Sequence, residues 1–519
     1  MALKVKVSNG FQIKEDIPAK IDEALQDGLQ NFTILSDGSI VPVNKKLTFG
    51  PVIGEVTSTS ACIVIEVKFY EHVEGILHCQ LFAQDDMENG QLMEQTKEIR
   101  TGRPIAFVFE DLSPDTAYVA MFPAVGEDVM ATFKTKKEED LESFKLIALS
   151  CDKPSRLLLG QLNPWKNILR TVDTGRVNSI IHIGDQIYPV GDAMSHAEKI
   201  FAEKYDGMDE EKQEDMMNRG KELWRQIYRD GFSNKYKQEV LSKTSNLMIW
   251  SDNDVANDFT TMKRQDGSQA YHPNFLKCGM EMYRDYQRRL WDSECLPENS
   301  EVVEEWHSHI YGNKVGIFLF DLRGNRITPE GEQQSDNSLL SEAQWAAFEE
   351  FMANPDLRAV ILCSETPFLG EEPSVCQAKV ADNPKFDFLK DHWYYNEEEL
   401  LKLMDICFAW KGDSSQRDLI LVAGDIHCGV TSIITDEESG LQINHYTTSP
   451  ITNHVCDFFP DLNGNLNERY RFSHLPLGNK FRNYLEVDVR LDEECTSIQA
   501  KLVPVSNDIF KNQEWEERH

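Results

Sequence analysis

Six short apolar runs, each stopping on residues with lone pairs to offer, constrain the fold of this chain most. They are SFKLIALSC (143–151), SIIHIGDQIY (179–188), SNLMIWSD (245–252), VGIFLFDLR (315–323), RAVILCSETP (358–367) and LILVAGDIHC (419–428). Continuous apolar runs of this length, with helical stretches between several of them, read as strands of an α/β sheet covered on both faces. Function in such sheets is expected in the loops past the carboxyl ends of the strands.

Ahead of these runs the pattern differs. From about Leu47 to Thr135, short alternating segments such as SACIVIEVKF, GILHCQLFA and AYVAMFPAV are separated by Gly, Asp, Asn and Pro turns, which predicts an all-β sandwich. Within it DLSPDTAYVAMF resembles the L-x-P-x-T-x-Y segment of fibronectin type III domains, and that resemblance implies that the Tyr118 hydroxyl braces a corner between sheets. The charged run Thr135–Asp140 reads as a boundary. The expected organisation is therefore an N-terminal extension (1–44), a sandwich (45–136), the α/β domain (144–505) and a tail (506–519). Ile17, Ile21, Leu25 and Leu29 place an amphipathic helix over Glu15–Gln30 in the extension. A charged segment at 194–232, carrying Tyr205, Trp224 and Tyr228, is expected to form helices that either cap the cleft as a lid or make a surface insertion.

Composition narrows the function classes. No apolar run approaches the roughly 20 residues of a membrane span, and the first residues lack a secretory apolar stretch, so a cytoplasmic protein without a membrane partner is expected. Eleven scattered cysteines without a C-x-x-C pair argue for free thiols. With 53 basic against 87 acidic side chains, the formal charge of −34 disfavours an extended nucleic-acid surface, while a local pocket for a small phosphate ester stays open.

The strand-end residues form the candidate site: Cys151 and Asp152; Asp185 and Tyr188; Asp252, Asn253 and Asp254; Asp321, Arg323 and Arg326; Asp425 and His427. Carboxylates converging on one rim repel each other unless cations neutralise them, which predicts a metal centre. Oxygen ligands with an imidazole suit magnesium, calcium, manganese or ferric iron rather than an all-thiolate zinc site. Two ions about 3.5–4 Å apart would share a carboxylate, with Asp185 the candidate, and hold a bridging hydroxide for attack on phosphorus. Tyr188 would join as a phenolate if a strongly acidic ion held it. Asp425 and His427 stand two apart, so an extended chain would aim both the same way. Arg323 offers a guanidinium fork suited to phosphate oxygens, or a salt bridge near Asp321.

In order and spacing, SC (150–151), HIGDQIYP (182–189), IWSDNDVAND (249–258), FDLRGNR (320–326) and AGDIHCG (423–429) resemble the motifs of the PhoD-like alkaline phosphatases, a branch of the calcineurin-like metallophosphoesterases. YRDGF, YRDYQRRLW, SETPF and KDHWYYNEEEL also sit where that family has similar segments, and the likeness spans about 45–505. It implies a four-layer α-β-β-α sandwich preceded by a small fibronectin III/Ig-like domain, and hydrolysis of phosphomonoesters or phosphodiesters. It also implies two or more metal ions, ferric iron together with calcium, with manganese, magnesium or zinc as alternatives. By the resemblance Cys151, Asp185 and Tyr188 would hold iron, and Asp252, Asp425 and His427 match the remaining ligand motifs.

One position departs from the family pattern W-D-D-H-(D/E): Trp250, Ser251, Asp252, Asn253 and Asp254 put an asparagine where a histidine is usual. Asparagine cannot deliver a proton, and losing a general acid costs roughly 10²–10⁴-fold in rate. Three readings follow: a narrow range of substrates with good leaving groups, replacement by His307 or His309, or Asn253 as a metal ligand. The leading expectation is a metal-dependent phosphoesterase with Asp185, Asp252, Asn253 and Arg323 at its catalytic core. The alternative is an impaired pseudo-phosphatase that recognises a phosphorylated ligand.

Overall fold

The computed structural model describes residues 47–67, 75–99, 103–139, 141–156, 163–260, 270–294, 304–326, 338–456, 462–477 and 481–506. It also gives the backbone of a short ribbon, β1 (Phe32–Ile34) and β2 (Ile40–Pro42). The helix expected over Glu15–Gln30 and the tail beyond 506 lie outside the described residues.

Seven strands follow: β3 (Leu47–Val56), β4 (Ala61–Val67), β5 (Ile76–Ala83), β6 (Met93–Glu98), β7 (Ile105–Phe109), β8 (Ala117–Met121) and β9 (Met130–Lys134). They make two antiparallel sheets, β3-β4-β7 and β6-β5-β8-β9. Ile63, Ile65 and Phe107 of the first share a core with Leu81, Ala120 and Phe133 of the second. Tyr118 is buried at the corner, where its hydroxyl accepts the Ser113 N–H at 2.9 Å.

The rest of the chain is a mixed α/β fold. Strands β10 (Ser143–Leu149), β11 (Ser179–Ile183), β12 (Ser245–Ile249), β13 (His307–Tyr311), β14 (Val315–Phe320), β15 (Ala359–Ser364) and β16 (Asp418–Ala423) contain the six apolar runs, with β13 added. Strands β17 (Val430–Asp436), β18 (Gln442–Thr447), β19 (Asn463–Asn465), β20 (Tyr470–Pro476), β21 (Phe481–Leu491) and β22 (Thr496–Ser506) complete them. One sheet has the order β12-β11-β10-β21-β22 and the other β13-β14-β15-β16-β18-β17-β20-β19. Strands β10, β11 and β12 run parallel, as do β14, β15, β16 and β18, so each group ends on one edge of its sheet.

Period-2 alternation explains why both faces of these strands are apolar. Leu146 and Ala148 of β10 share a core with Ile317, Leu319, Ile361 and Val422 of the second sheet. Ile147 and Leu149 instead meet Trp165 and Ile168 of the helix Pro164–Val172. On the second sheet Phe318, Val360 and Leu419 face Phe348 and Leu403 of the helices Glu342–Met352 and Glu397–Gly412. Each fully buried Leu, Ile or Phe contributes about 1.5–3 kcal/mol, so the strands that carry the site are held on two sides.

The segment 194–232 forms the helices Asp192–Lys204 and Glu210–Phe232, yet none of its residues lines the described cleft. Trp224, Tyr228 and Phe232, one helical stripe, pack with Phe49, Val52 and Val64 of the sandwich and with Met282 and Tyr286. Arg229 pairs with the buried Glu66, which also accepts the Tyr286 hydroxyl at 2.6 Å. The segment is thus a clamp between the sandwich and the α/β fold rather than a lid. Among the described residues, no helix is long and apolar enough to cross a membrane, and none of the ten described cysteines forms a disulfide.

The charged boundary is also less exposed than its composition suggests, because Thr135 and Lys136 are buried and the Lys136 ammonium donates to the Asn178 carbonyl. Burial lowers the Lys136 pKa from its usual 10.5 to about 7. Between those values the unfolded chain keeps a proton that the folded chain has released, so stability rises with pH there. Relative to Lys136→Met, the wild type should gain up to ~1.4 kcal/mol per pH unit above neutrality. Denaturant melts of both proteins across that range check this, and parallel pH profiles would contradict it.

Candidate active site

The two edges of parallel strand ends face one another, and the chain leaves them through unusual backbone. Cys151 after β10, Asp185 after β11, and Asp425 and His427 after β16 all have positive φ, at 56°, 61°, 69° and 54°. Such left-handed non-glycine residues cost about 1 kcal/mol or more each and persist only where the surroundings over-determine them. Asp254 supplies much of that restraint: Oδ2 accepts the N–H of Asp185 and of Ser251, both at 2.9 Å, while Oδ1 accepts the Gln186 N–H at 3.0 Å. Gly184 completes the turn, since a Cβ there would stand 2.5 Å from Ser251 Cβ.

The stretch between Asp425 and His427 is therefore not extended, contrary to the simple alternation argument. The His427 N–H folds back onto the Asp425 carbonyl at 2.7 Å, and both side chains still line the cleft.

Donor atoms of Cys151, Asp185 and His427 lie within 4.8 Å of one another, as do those of Asp185, Asp252 and Asp425. Asp185 belongs to both groups. The Tyr188 hydroxyl donates to Asp185 Oδ2 at 2.7 Å and stands 3.2 Å from His427 Nε2. The other oxygen, Asp185 Oδ1, is buried with no hydrogen-bond partner. Burial, then Asp252 and Asp425, holds the Asp185 carboxyl well above the usual carboxylate range. Burial followed by Asp252 does the same to Asp425, and burial followed by Asp185 and Asp425 pushes the Cys151 thiol up. An orphaned carboxylate oxygen among mutually repelling anionic ligands fits cations, because a cation satisfies the oxygen and cancels the repulsion together.

The other strand-end residues are placed differently. Asp252 accepts the Asp258 N–H at 2.6 Å, and Asn253 turns its Nδ2 to Asp252 Oδ1 at 3.2 Å without lining the cleft. Asp152 is a buried ion pair with Lys237 at 2.6 Å. Asp321 accepts the Trp250 indole at 2.8 Å and the N–H of Arg323 and Gly324 at 2.9 Å, so it anchors a turn. Arg323 reaches the cleft wall, but its fork is engaged by Glu365 at 2.6 Å, by Thr260 at 2.7 Å and by Asp391. Arg326 pairs with Asp391 as well. His307 and His309 do not replace the missing histidine. They bond each other at 2.7 Å and reach the Met248 carbonyl and Glu55, and neither lines the cleft.

A cleft of about 320 Å³ opens over the centre, lined by Asp252, Asp258, Arg323, His392, Asp425 and His427, among others. Asp258, Asp391 and His392 were not singled out as site residues from the sequence, because they follow no apolar strand. Burial and then the Asp252 charge raise Asp258 to about 7. His392 is buried, with Nε2 at 3.8 Å from Asp425 Oδ2 and Nδ1 without a hydrogen-bond partner. Burial lowers its pKa to about 4, so the ring is neutral at neutral pH.

A model of the PhoD-like phosphatase family matches residues 146–493. The solved structure of PhoD superposes with a TM-score of 0.59 at 12% identity, covering 92% of this chain and 98% of that one, which shows a shared fold. Likeness to other solved structures, such as the sensor domain of the anti-sigma factor RsgI4 from Pseudobacteroides cellulosolvens, is far weaker: TM-score 0.15, 21% identity, 18% of this chain and 76% of that one. A β-glucuronidase of Bacteroides uniformis reaches a TM-score of 0.22 at 11% identity, covering 91% and 62%. No curated protein matches the chain.

If the buried carboxylates repel as described, Asp185→Asn should melt above the wild type when both are treated with chelator. Added metal at about a hundred times its Kd should stabilise the wild type by ~2.7 kcal/mol and the variant far less. Calorimetry with and without manganese or calcium checks both, and a variant that gains as much as the wild type would contradict the assignment.

Proposed function

This chain belongs to the PhoD-like phosphatase family, and on that premise we propose that it is a metal-dependent phosphoesterase acting on small phosphate mono- or diesters. The observation that carries the reading is Asp185, common to two donor groups and holding one buried oxygen that no protein group satisfies. Cys151, Asp185, Tyr188 and His427 would hold one ion, and Asp185, Asp252 and Asp425 the other. Thiolate and phenolate donors suit a strongly acidic ion such as ferric iron, and the all-carboxylate group suits calcium or a similar hard ion. When bound, the two ions supply the Lewis acidity that activates water and offsets charge on the phosphoryl oxygens.

The protein's own groups shape what can react. Arg323, with its fork engaged by two carboxylates and Thr260, braces the cleft wall beside Asp252 instead of offering a free fork. Asn253 stays with Asp252 and supplies no proton. His392 lines the cleft beside Asp425 without belonging to either donor group, and being neutral it offers the leaving oxygen a hydrogen bond rather than a full proton. Esters with good leaving groups are then the preferred substrates. Four-layer packing follows from the family and agrees with two sheets sharing one core while helices cover the other face of each. Free, mostly buried cysteines favour a reducing compartment such as the cytoplasm. The comparisons lend no support to the pseudo-phosphatase alternative.

Metal-loaded protein should hydrolyse aryl phosphate esters at least ~10²-fold faster than alkyl esters, with the rate lost on chelation. Asp185→Asn should lower the rate by ~10³ or more, and His392→Gln should slow alkyl esters more than aryl esters. Steady-state assays on a panel of mono- and diesters test this. Chelation-resistant turnover, or full activity in Asp185→Asn, would overturn the reading.

A further inference from the structure

The loop after β18 carries donor atoms that the centre described above does not use. Asn453, His454 and Cys456 fold onto the outer side of the His427 ring, and the Cys456 N–H pins the loop by donating to the His427 carbonyl at 2.9 Å. The ring turns Nε2 toward Tyr188 and the Asn453 amide, each at 3.2 Å. Its Nδ1 points the other way, to His454 Nε2 at 3.4 Å and Cys456 Sγ at 3.9 Å. One donor atom from each of His427, His454 and Cys456 lies within 4.8 Å of the others.

The two separations from His427 Nδ1 are close to edges of a small tetrahedron. With zinc bonds of about 2.05 Å to nitrogen and about 2.3 Å to sulfur, tetrahedral ligands stand about 3.3 Å apart for two nitrogens and about 3.6 Å for nitrogen and sulfur. The observed 3.4 and 3.9 Å need shifts of a few tenths of an ångström. The support around the trio matches a ligand's needs too. Asn453 Oδ1 accepts the backbone N–H of His454 at 2.8 Å and stands 3.0 Å from its Nδ1, so the ring proton sits on Nδ1 and the Nε2 lone pair faces His427. His454 is exposed, while His427 and Cys456 are half-buried, so an ion enters from solvent.

We propose that His427 Nδ1, His454 Nε2 and Cys456 Sγ form a second metal site at the mouth of the cleft, taking a borderline-soft divalent ion such as Zn²⁺ and opposing the inner centre because both need the His427 ring. The opposition rests on the reading of the inner centre given above; the site itself does not. Without a rim ion, the Nδ1–H of His427 donates to His454 Nε2. An ion at the rim takes that proton's place, and the ring then carries its proton on Nε2, the face turned to Tyr188 and Asp185. The Cys456 thiol releases its proton to solvent as the ion binds. The rim site is thus a device by which excess zinc slows the enzyme.

Cobalt is the probe, since a cobalt–thiolate bond has its own charge-transfer absorption. Full-length protein carrying Cys151→Ser, so that the rim thiol alone can give the band, is freed of metal by chelation, titrated with Co²⁺ and followed by absorbance and by elemental analysis. Cobalt should bind with the thiolate band. Adding Cys456→Ser, a near-isosteric change, should lose the band, and adding His454→Ala, an exposed position, should weaken cobalt binding at least tenfold. No thiolate band, or an unchanged band with Cys456→Ser, would overturn the site. Added Zn²⁺ should slow ester hydrolysis by the wild type at concentrations that His454→Ala tolerates, and equal inhibition of both would overturn the opposition. Because the cobalt readout needs no turnover, a failed phosphoesterase reading and a failed rim site give different results.

Discussion

Mutual repulsion among buried carboxylates governs this molecule. Asp185 and Asp252, both buried, and the half-buried Asp425 bring oxygens within 4.8 Å of one another, and a pair of unit charges at such spacing is worth several kcal/mol at the effective dielectric of a protein. Nothing in that arrangement is favourable by itself. It is held by groups that have no direct part in the chemistry: Asp254 fixes the Asp185 turn through backbone N–H bonds, and the Arg323–Glu365–Asp391 network closes the wall beside Asp252.

The fold serves that constraint. Parallel strands from two sheets end on facing edges, and alternation along each strand packs one set of side chains against the opposite sheet and the other against helices. Strands fixed on both faces let the turns at their ends hold positive φ at Cys151, Asp185, Asp425 and His427. The sandwich adds rigidity from one side, since the helix Glu210–Phe232 and the Arg229–Glu66 pair join it to the α/β fold. Preorganisation of this kind is what phosphoryl chemistry needs, because little of the work is covalent and most is the placing of charge.

Much of this was legible because the strand signal is local. IIHIG and LILVAG are continuous apolar runs, and a carboxylate after each is visible without coordinates. What could not be read is how side chains turn once the strand ends. The extended geometry assumed for Asp425 and His427 fails because two successive backbone bonds fold the chain at Gly424–His427. Asp152, Asp254 and Asp321 look equivalent to the ligands in sequence, yet they are an ion pair and two turn anchors, a distinction set by long-range partners such as Lys237, Gln287 and Trp250. His392 and the Asn453–Cys456 loop were not read as site residues for another reason. The first follows a short 3₁₀ segment and the second follows β18, whose sequence QINHYT carries polar residues and gives no apolar run. The helical segment at 194–232 was visible, but its partner surface on the sandwich was not.

The central claim is that Asp185 stands between two metal ions. Anomalous diffraction from crystals of metal-loaded protein tests it most directly. Two peaks about 3.5–4 Å apart are expected, each within bonding distance of a different oxygen of Asp185, with Cys151 and His427 beside one and Asp252 and Asp425 beside the other. A single peak, or two that leave Asp185 Oδ1 without a ligand, would contradict it.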